Sequence, residues 1–261
     1  MKPVTTSKRY YVLACEVLFR EICLCAAKSS NIIDVSFEKQ VLHDLGDKLM
    51  SSALQDKINQ LDHDKYDAIL LGYGLCNNGI VNLHAPIPIV VPRAHDCITL
   101  LMGSKEMYSE YFSKNPGAYY QTSGWLERSI DKGKEDTIPQ QLGMGKSYED
   151  YAAEYGEENA EYLMSILSDY LVNYTKVTFI NNGVGDIEGI RETSKEWAKT
   201  QDWEYEEVEG SLCLMERLLN GDWNEEDFLV IPPSHIIVPS NDDSVITSTP
   251  KASSEILKER P

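Results

Sequence analysis

Three thiols and one imidazole fall where apolar, strand-like runs give way to turn-forming residues. Cys15 ends the run YYVLAC, Cys76 sits in the glycine loop after DAILLGYG, and His95 and Cys97 follow PIPIVVPR. Thiolate and imidazole are soft ligands. Zinc takes them in tetrahedral geometry and leaves a position open when it is catalytic. No CxxC pair is present, so the argument rests on placement and not on spacing. In parallel sheets, ligands bind beyond the carboxyl ends of the strands, and three such ends here supply soft ligands. The expectation is that Cys15, Cys76, His95 and Cys97 converge on one ion, zinc before others. An iron–sulfur cluster uses the same thiolates and stays open. The alternative is that Cys15 and Cys76 are small buried hydrophobes and that His95 caps a helix or bonds to a backbone carbonyl.

Other residues near these ends fit supporting roles. Arg93 offers a forked guanidinium for a substrate carboxylate or phosphate, or a partner for Glu16. Glu16 and Asp96 are candidate general bases, or partners for the second nitrogen of a ligating imidazole. The loop Gly72-Tyr-Gly74-Leu-Cys76-Asn-Asn78-Gly79 departs from both the dinucleotide and the Walker patterns. Gly74, Asn78 and Gly79 either let backbone N–H groups approach a ligand or serve a tight turn. Tyr119, Tyr120 and Trp125 lie in an aromatic stretch suited to closing over a ligand. Asn181 to Gly185, between a strand and a helix, is a further candidate loop, and His235 ends the last strand. Cys23, Cys25 and Cys213 read as packing residues, and His43, His63 and His84 as surface residues.

The elements that must position these groups alternate. Strands are expected at YYVLACEV, Ile32–Phe37, YDAILLGYG and PIPIVVPRA. Helices are expected from Phe19 to Ser29, Gly46 to Leu61, Asp96 or Cys97 to Gly103, and Ser104 to Ser113. After a break, KVTFINNG, EYEEVEG and DFLVIPPSHII read as strands, with helices at Ile187–Thr200 and SLCLMERLLNG. Ser211 is the expected N-cap of that last helix. The fold class is α/β, two Rossmann-like halves with mainly parallel sheets and a cleft between them. The divisions expected are 1–114 for the first half, 115–146 for an aromatic loop or lid, and 147–261 for a long helix plus the second half. The tail after Pro239 is polar, with packing against the first half as one option.

Composition narrows the function classes. The 261 residues carry 24 basic and 42 acidic side chains, a net charge of -18. Such a field repels nucleic acid and anionic membranes. The apolar runs fall short of the roughly 20 residues a membrane span needs, and the amino-terminal stretch is broken by Glu16 and Arg20, unlike a signal peptide. A cytoplasmic setting is expected, in which six cysteines stay reduced.

His95-x-Cys97 resembles the His-x-Cys zinc element of corrinoid-dependent methyltransferases and related thiol-alkylating enzymes, which are barrels. More broadly, ACEVLFREI, GYGLCNNGI, PRAHDCITLLMGSKEMYSEYF, PGAYYQTSGW and FLVIPP resemble a prokaryotic domain-of-unknown-function family, across nearly the whole chain. Members of that family are often encoded near corrinoid-dependent methyltransferases, which implies one-carbon metabolism in anaerobes and supplies no reaction. Two functions are therefore expected to compete. One is a zinc-dependent enzyme acting on a small thiol or methyl-group donor. The other is an accessory protein that binds a small molecule or a corrinoid for a methyltransferase system, with a corrinoid protein or methyltransferase as partner.

Overall fold

The computed structural model describes residues 7–40, 47–131 and 173–251, with 152–153 and 156–157. The chain divides into two compact units, residues 1–110 with 210–261, and residues 111–209. Both are α/β.

In the first unit, the apolar runs become strands β1 (Arg9–Cys15), β2 (Ile32–Glu38), β3 (Ala68–Gly72) and β4 (Ile89–Pro92). Every residue of β3 and β4 is buried, as expected of strands covered on both faces. With β8 (Phe228–Ile231) they form a five-stranded sheet of order β2-β1-β3-β4-β8. The first four strands are parallel, and β8 pairs with β4 antiparallel. Helices α1 (Phe19–Lys28), α2 (Asp47–Asn59) and α3 (Cys97–Met102) follow β1, β2 and β4. Helix α4 (Lys105–Lys114) then leads into the second unit.

There, β5 (Ala118–Thr122), β6 (Lys176–Asn181) and β7 (Glu204–Glu209) form a three-stranded parallel sheet in that order. Helices α5 (Ser123–Asp131) and α6 (Ile187–Thr200) accompany it. The aromatic stretch expected to be a loop is therefore a strand and a helix up to Asp131. The burial of Ala118, Gln121 and Thr122 and the ladder to β6 override its turn-forming composition. The remainder of that stretch and most of the expected helix at 147–170 lie outside the described residues.

The carboxyl-terminal segment does not continue the second half. After β7 the chain returns to the first unit, where α7 (Cys213–Asn220) packs on α1 and β8 joins β4. Lys28 bridges Glu216 at 3.3 Å, and the Ser29 hydroxyl donates to the Leu219 carbonyl at 3.1 Å. The sequence shows four strands and their helices up to residue 114, but not that β4 has an open edge for a later strand. The single strand expected over DFLVIPPSHII is two, because Pro232–Ser234 turns the chain. β9 (His235–Pro239) then pairs antiparallel with β10 (Ile246–Pro250). Ser211 lies one residue before the N-cap, yet its hydroxyl accepts from the Cys213 N–H at 3.2 Å.

Candidate functional site

The carboxyl edge of the five-stranded sheet gathers three thiols. Cys15 is the last residue of β1, 2 % exposed, opposite Glu38 in the β1–β2 ladder. Cys76 lies four residues beyond β3 and Cys97 opens α3, each 8 % exposed. Their mutual nearness shows in their electrostatics. Burial pushes the Cys76 thiol far above its ordinary value, and negative charge at Cys15 raises it further. Cys97 is raised by burial first, then by Asp96, Cys76 and Cys15. The fully buried Tyr73 phenol is raised by burial and then by Cys15, Cys76, Glu38 and Glu16. The side-chain charges acting most strongly on these groups are thus all negative. Buried apolar surroundings disfavour a thiolate, so Cys76 and Cys97 are held as neutral thiols.

The loop that presents Cys76 is strained. Cys76, Asn77 and Asn78 have φ of 47°, 53° and 67°, a left-handed run that costs L-residues roughly 1–2 kcal/mol each, less for asparagine. Hydrogen bonds hold it. The Leu75 and Cys76 N–H groups donate to the Ala94 and His95 carbonyls at 2.7 and 2.8 Å, and the Gly79 N–H donates to the Cys76 carbonyl at 3.0 Å. The glycines are there for close approach. A Cβ on Gly74 would stand 2.6 Å from the Asp96 nitrogen, and one on Gly79 would stand 2.2 Å from the Met50 sulfur. Gly74 and Gly79 therefore let the loop pack against the turn after β4 and against α2. Asn78 is exposed on the outer side of the loop.

Several expected partners are engaged elsewhere. His95 is exposed where the thiols are buried. It acts on Asp96 and is not among the main charges on Cys76 or Cys97. Residues two apart share a direction in extended chain, but here Asp96 caps a helix that begins at Cys97. Among the described residues, no three His, Cys, Asp or Glu side chains stand as a group that could hold a metal ion. The thiols share a neighbourhood without forming a coordination shell.

Asp96 accepts from the Ile98 and Thr99 N–H groups at 3.0 and 3.3 Å, and from the Tyr108 hydroxyl at 3.4 Å. Burial nonetheless raises its carboxyl. Glu16 accepts from the Gln40 N–H at 2.8 Å. Arg93 does not present a free fork. Its Nε donates to the Glu225 carbonyl at 2.9 Å and its Nη1 to the carbonyls of Ser244 and Ile246. It ties the returning carboxyl-terminal segment to the end of β4, a task invisible without the tertiary structure.

Tyr119, Tyr120 and Trp125 belong to the second unit. The Tyr119 ring lies 4.7 Å from Trp197 and 6.1 Å from Trp203, in a packed cluster that Tyr174 completes. Tyr120 faces Tyr111 at 6.1 Å. Trp125 lies in α5, half-buried. These rings are built into a sheet and its helices, which a mobile cover is not. In the loop after β6, Asn181 accepts from the Gly183 N–H at 2.9 Å and donates to Glu207 at 2.8 Å. Asp186 caps α6 through the Gly189 N–H at 3.2 Å, so that helix start already holds a carboxylate. His235 Nδ1 contacts the Pro233 carbonyl at 3.2 Å. Cys25 is buried and pushed up to about 12 by desolvation. Cys213, expected to pack, is exposed. His43 lies outside the described residues.

Sequence reading passed over Tyr73 and Glu38 beside the thiols. His84, read as a surface residue, is half-buried and lines a groove of about 510 Å³ with Lys48, Ser52, Asp56, Asn78 and Asn82. A tyrosine between two glycines was a usable signal for the first, whereas His84 carried none.

Among the described residues, no helix is long and apolar enough to cross a membrane. No curated protein and no solved structure matches the chain. A family profile matches residues 38–219, a span that includes two of the three thiols, the strained loop, the three-stranded sheet and part of the five-stranded one. The chain therefore belongs to the family described as protein of unknown function, DUF1638.

Proposed function

We propose that Cys15, Cys76 and Cys97 form a soft-cation site, and that the protein is a metal-dependent, cytoplasmic enzyme acting on a small thiol or methyl-group donor. The observation that carries this reading is three buried thiols at or beyond three strand ends, with Cys15 raising Cys76, and Cys15 and Cys76 both raising Cys97. Zinc suits such a thiol set. When bound, it lowers the pKa of a coordinated thiol or water. Cys15, Cys76 and Cys97 would be the residues to hold such an ion, each as a thiolate. Asp96, adjacent in sequence to Cys97 and with its carboxyl raised by burial, is the candidate general base of this reading.

A second reading is an accessory protein that binds a small molecule or a corrinoid for a methyltransferase system. It is favoured by the commitment of Arg93 to backbone carbonyls, which leaves the expected substrate clamp occupied.

Elemental analysis of anaerobically purified wild type beside Cys97→Ser separates these readings. About one zinc per chain, lost in the variant, supports the enzyme reading. Iron with sulfide moves the site to a cluster. No metal in either protein sinks the cation site and leaves the accessory reading.

A further inference from the structure

The groove beside α2 lies in the same unit as the thiols and encloses about 510 Å³, a size at which pre-formed concave sites take small molecules. Part of its lining is engaged in building it. The Gln55 amide accepts from the His84 N–H at 3.1 Å, and donates to the His84 carbonyl at 3.0 Å and to Asn59 at 2.8 Å. The Ser51 hydroxyl donates to the Val81 carbonyl at 2.6 Å. The His84 ring is engaged at both nitrogens, Nδ1 with the Asn82 carbonyl at 3.0 Å and Nε2 with the Lys251 ammonium at 2.8 Å. Lys48 has a partner as well.

Four polar side chains of the lining are left. Ser52 and Asp56 stand one turn apart on α2 and so share a face. Asn78 and Asn82 line the groove from left-handed positions, φ 67° and 69°. Among the described residues, none of these four side chains has a hydrogen-bond or ion-pair partner. Glycine would meet the left-handed backbone at no steric cost. Asparagine commonly meets it by bonding back to its own turn, and neither amide does so here. Non-glycine residues held in sparsely populated backbone regions gather at binding sites, and these two border a pre-formed cavity.

The chemistry of the four groups selects the ligand. Lys48 and Asp56 offset one another in charge, so the lining favours an uncharged molecule. Amide N–H groups donate, the amide and carboxylate oxygens accept, and the Ser52 hydroxyl does both. A ligand hydroxyl, itself donor and acceptor, answers each of these groups. Val81 and Pro239 add apolar surface to the same lining, which suits the C–H face of a ring.

We propose that this groove binds an uncharged, polyhydroxylated ring, a sugar or a cyclitol. Asp56 accepts from its hydroxyls, and Ser52, Asn78 and Asn82 both donate to them and accept from them. The site goes beyond the thiol reading and does not depend on it.

Glucose, ribose and myo-inositol, titrated separately into the isotope-labelled full-length protein, test the site, with cyclohexanol as a ring bearing a single hydroxyl. The readouts are the NMR signals of the Asn78 and Asn82 side-chain amides and of the Ser52 backbone N–H. Saturable shifts are expected with at least one of the three polyols and not with cyclohexanol. Binding, followed at Ser52, should weaken at least tenfold in Asp56→Asn and in the Asn78→Gly/Asn82→Gly double variant. Glycine suits both left-handed positions, so the double variant removes the amides and keeps the turn. Saturation by glucose or ribose at lower concentration than myo-inositol assigns the ligand to the sugars, and the reverse order assigns it to the cyclitols. Absence of saturation with all three, equal shifts with cyclohexanol, or less than tenfold weakening in both variants overturns the site. None of these readouts depends on metal content, so the thiol reading stands or falls separately.

Discussion

The two parallel sheets place opposite chemistry on their strands. In the first unit the carboxyl edge buries thiols, and burial keeps them protonated. In the second, the end of β6 and the outer strand β7 carry groups whose charge is already met. Arg191 grips Glu207 through two bonds of 2.6 and 3.0 Å, Asn181 adds a third at 2.8 Å, and the Glu207 carboxyl is lowered to about 2. Tyr111 donates to Glu206 at 2.6 Å, and Lys176 bridges the same carboxylate at 2.9 Å. A satisfied ion pair has little to offer a ligand, whereas buried thiols with no cation among their main charges do. The difference separates a framework edge from a candidate site within one repeated architecture.

The largest effect that would break this comparison is on metal content. Cys15→Ser, Cys76→Ser and Cys97→Ser should each abolish stoichiometric metal, while Cys213→Ser, at an exposed position, should keep it. Elemental analysis reads the result, and metal retained in all four variants removes the distinction between the edges.

Next comes the backbone. Gly74→Ala forces a Cβ to within 2.6 Å of main-chain nitrogen and should cost about 3 kcal/mol as overpacking. Gly183→Ala, at φ +72° with open space around it, should cost only about 1 kcal/mol for its left-handed conformation. Chemical denaturation of both variants measures the gap, and equal costs would mean the thiol-bearing loop is no tighter than the loop after β6.

Titration sharpens the contrast further. Folded Cys76 and Cys97 hold their protons above the ordinary thiol value of 9.0. Unfolded thiols release theirs near 9, so stability from these groups is full below pH 9 and falls as pH rises beyond it. Metal-free protein should accordingly alkylate first at Cys213 at pH 8, with Cys76 and Cys97 modified only after unfolding. Peptide mapping after limited alkylation checks the order.

Glu207 runs the other way and has the smallest effect. Its folded value of about 2 lies below the ordinary 4.5, so its contribution is present above pH 4.5 and is lost as pH falls toward 2. In Arg191→Gln the carboxyl midpoint, followed by NMR, should return toward 4.5.

Much of the fold was legible because apolar periodicity marks buried strands and amphipathic helices wherever tertiary context agrees with it. The all-apolar β3 and β4, the helix at Ile187–Thr200 and the α/β alternation are local signals, and they emerge within about three residues. The thiols were legible for the same reason. A strand end is a local feature, and Cys15, Cys76 and Cys97 each sit at or just past one.

What only the tertiary structure decided is where the chain goes next. Whether β4 keeps an edge for β8, and whether Arg93 faces a substrate or the carbonyls of Glu225, Ser244 and Ile246, depends on residues more than 130 positions away. Whether His95 follows Cys97 inward depends on Asp96 capping a helix between them. Whether a run of aromatics is a lid or a strand depends on a partner strand to pair with. Residue types and local periods determined the elements and the candidate ligands. Long-range pairing, which no local pattern encodes, determined which of those candidates meet.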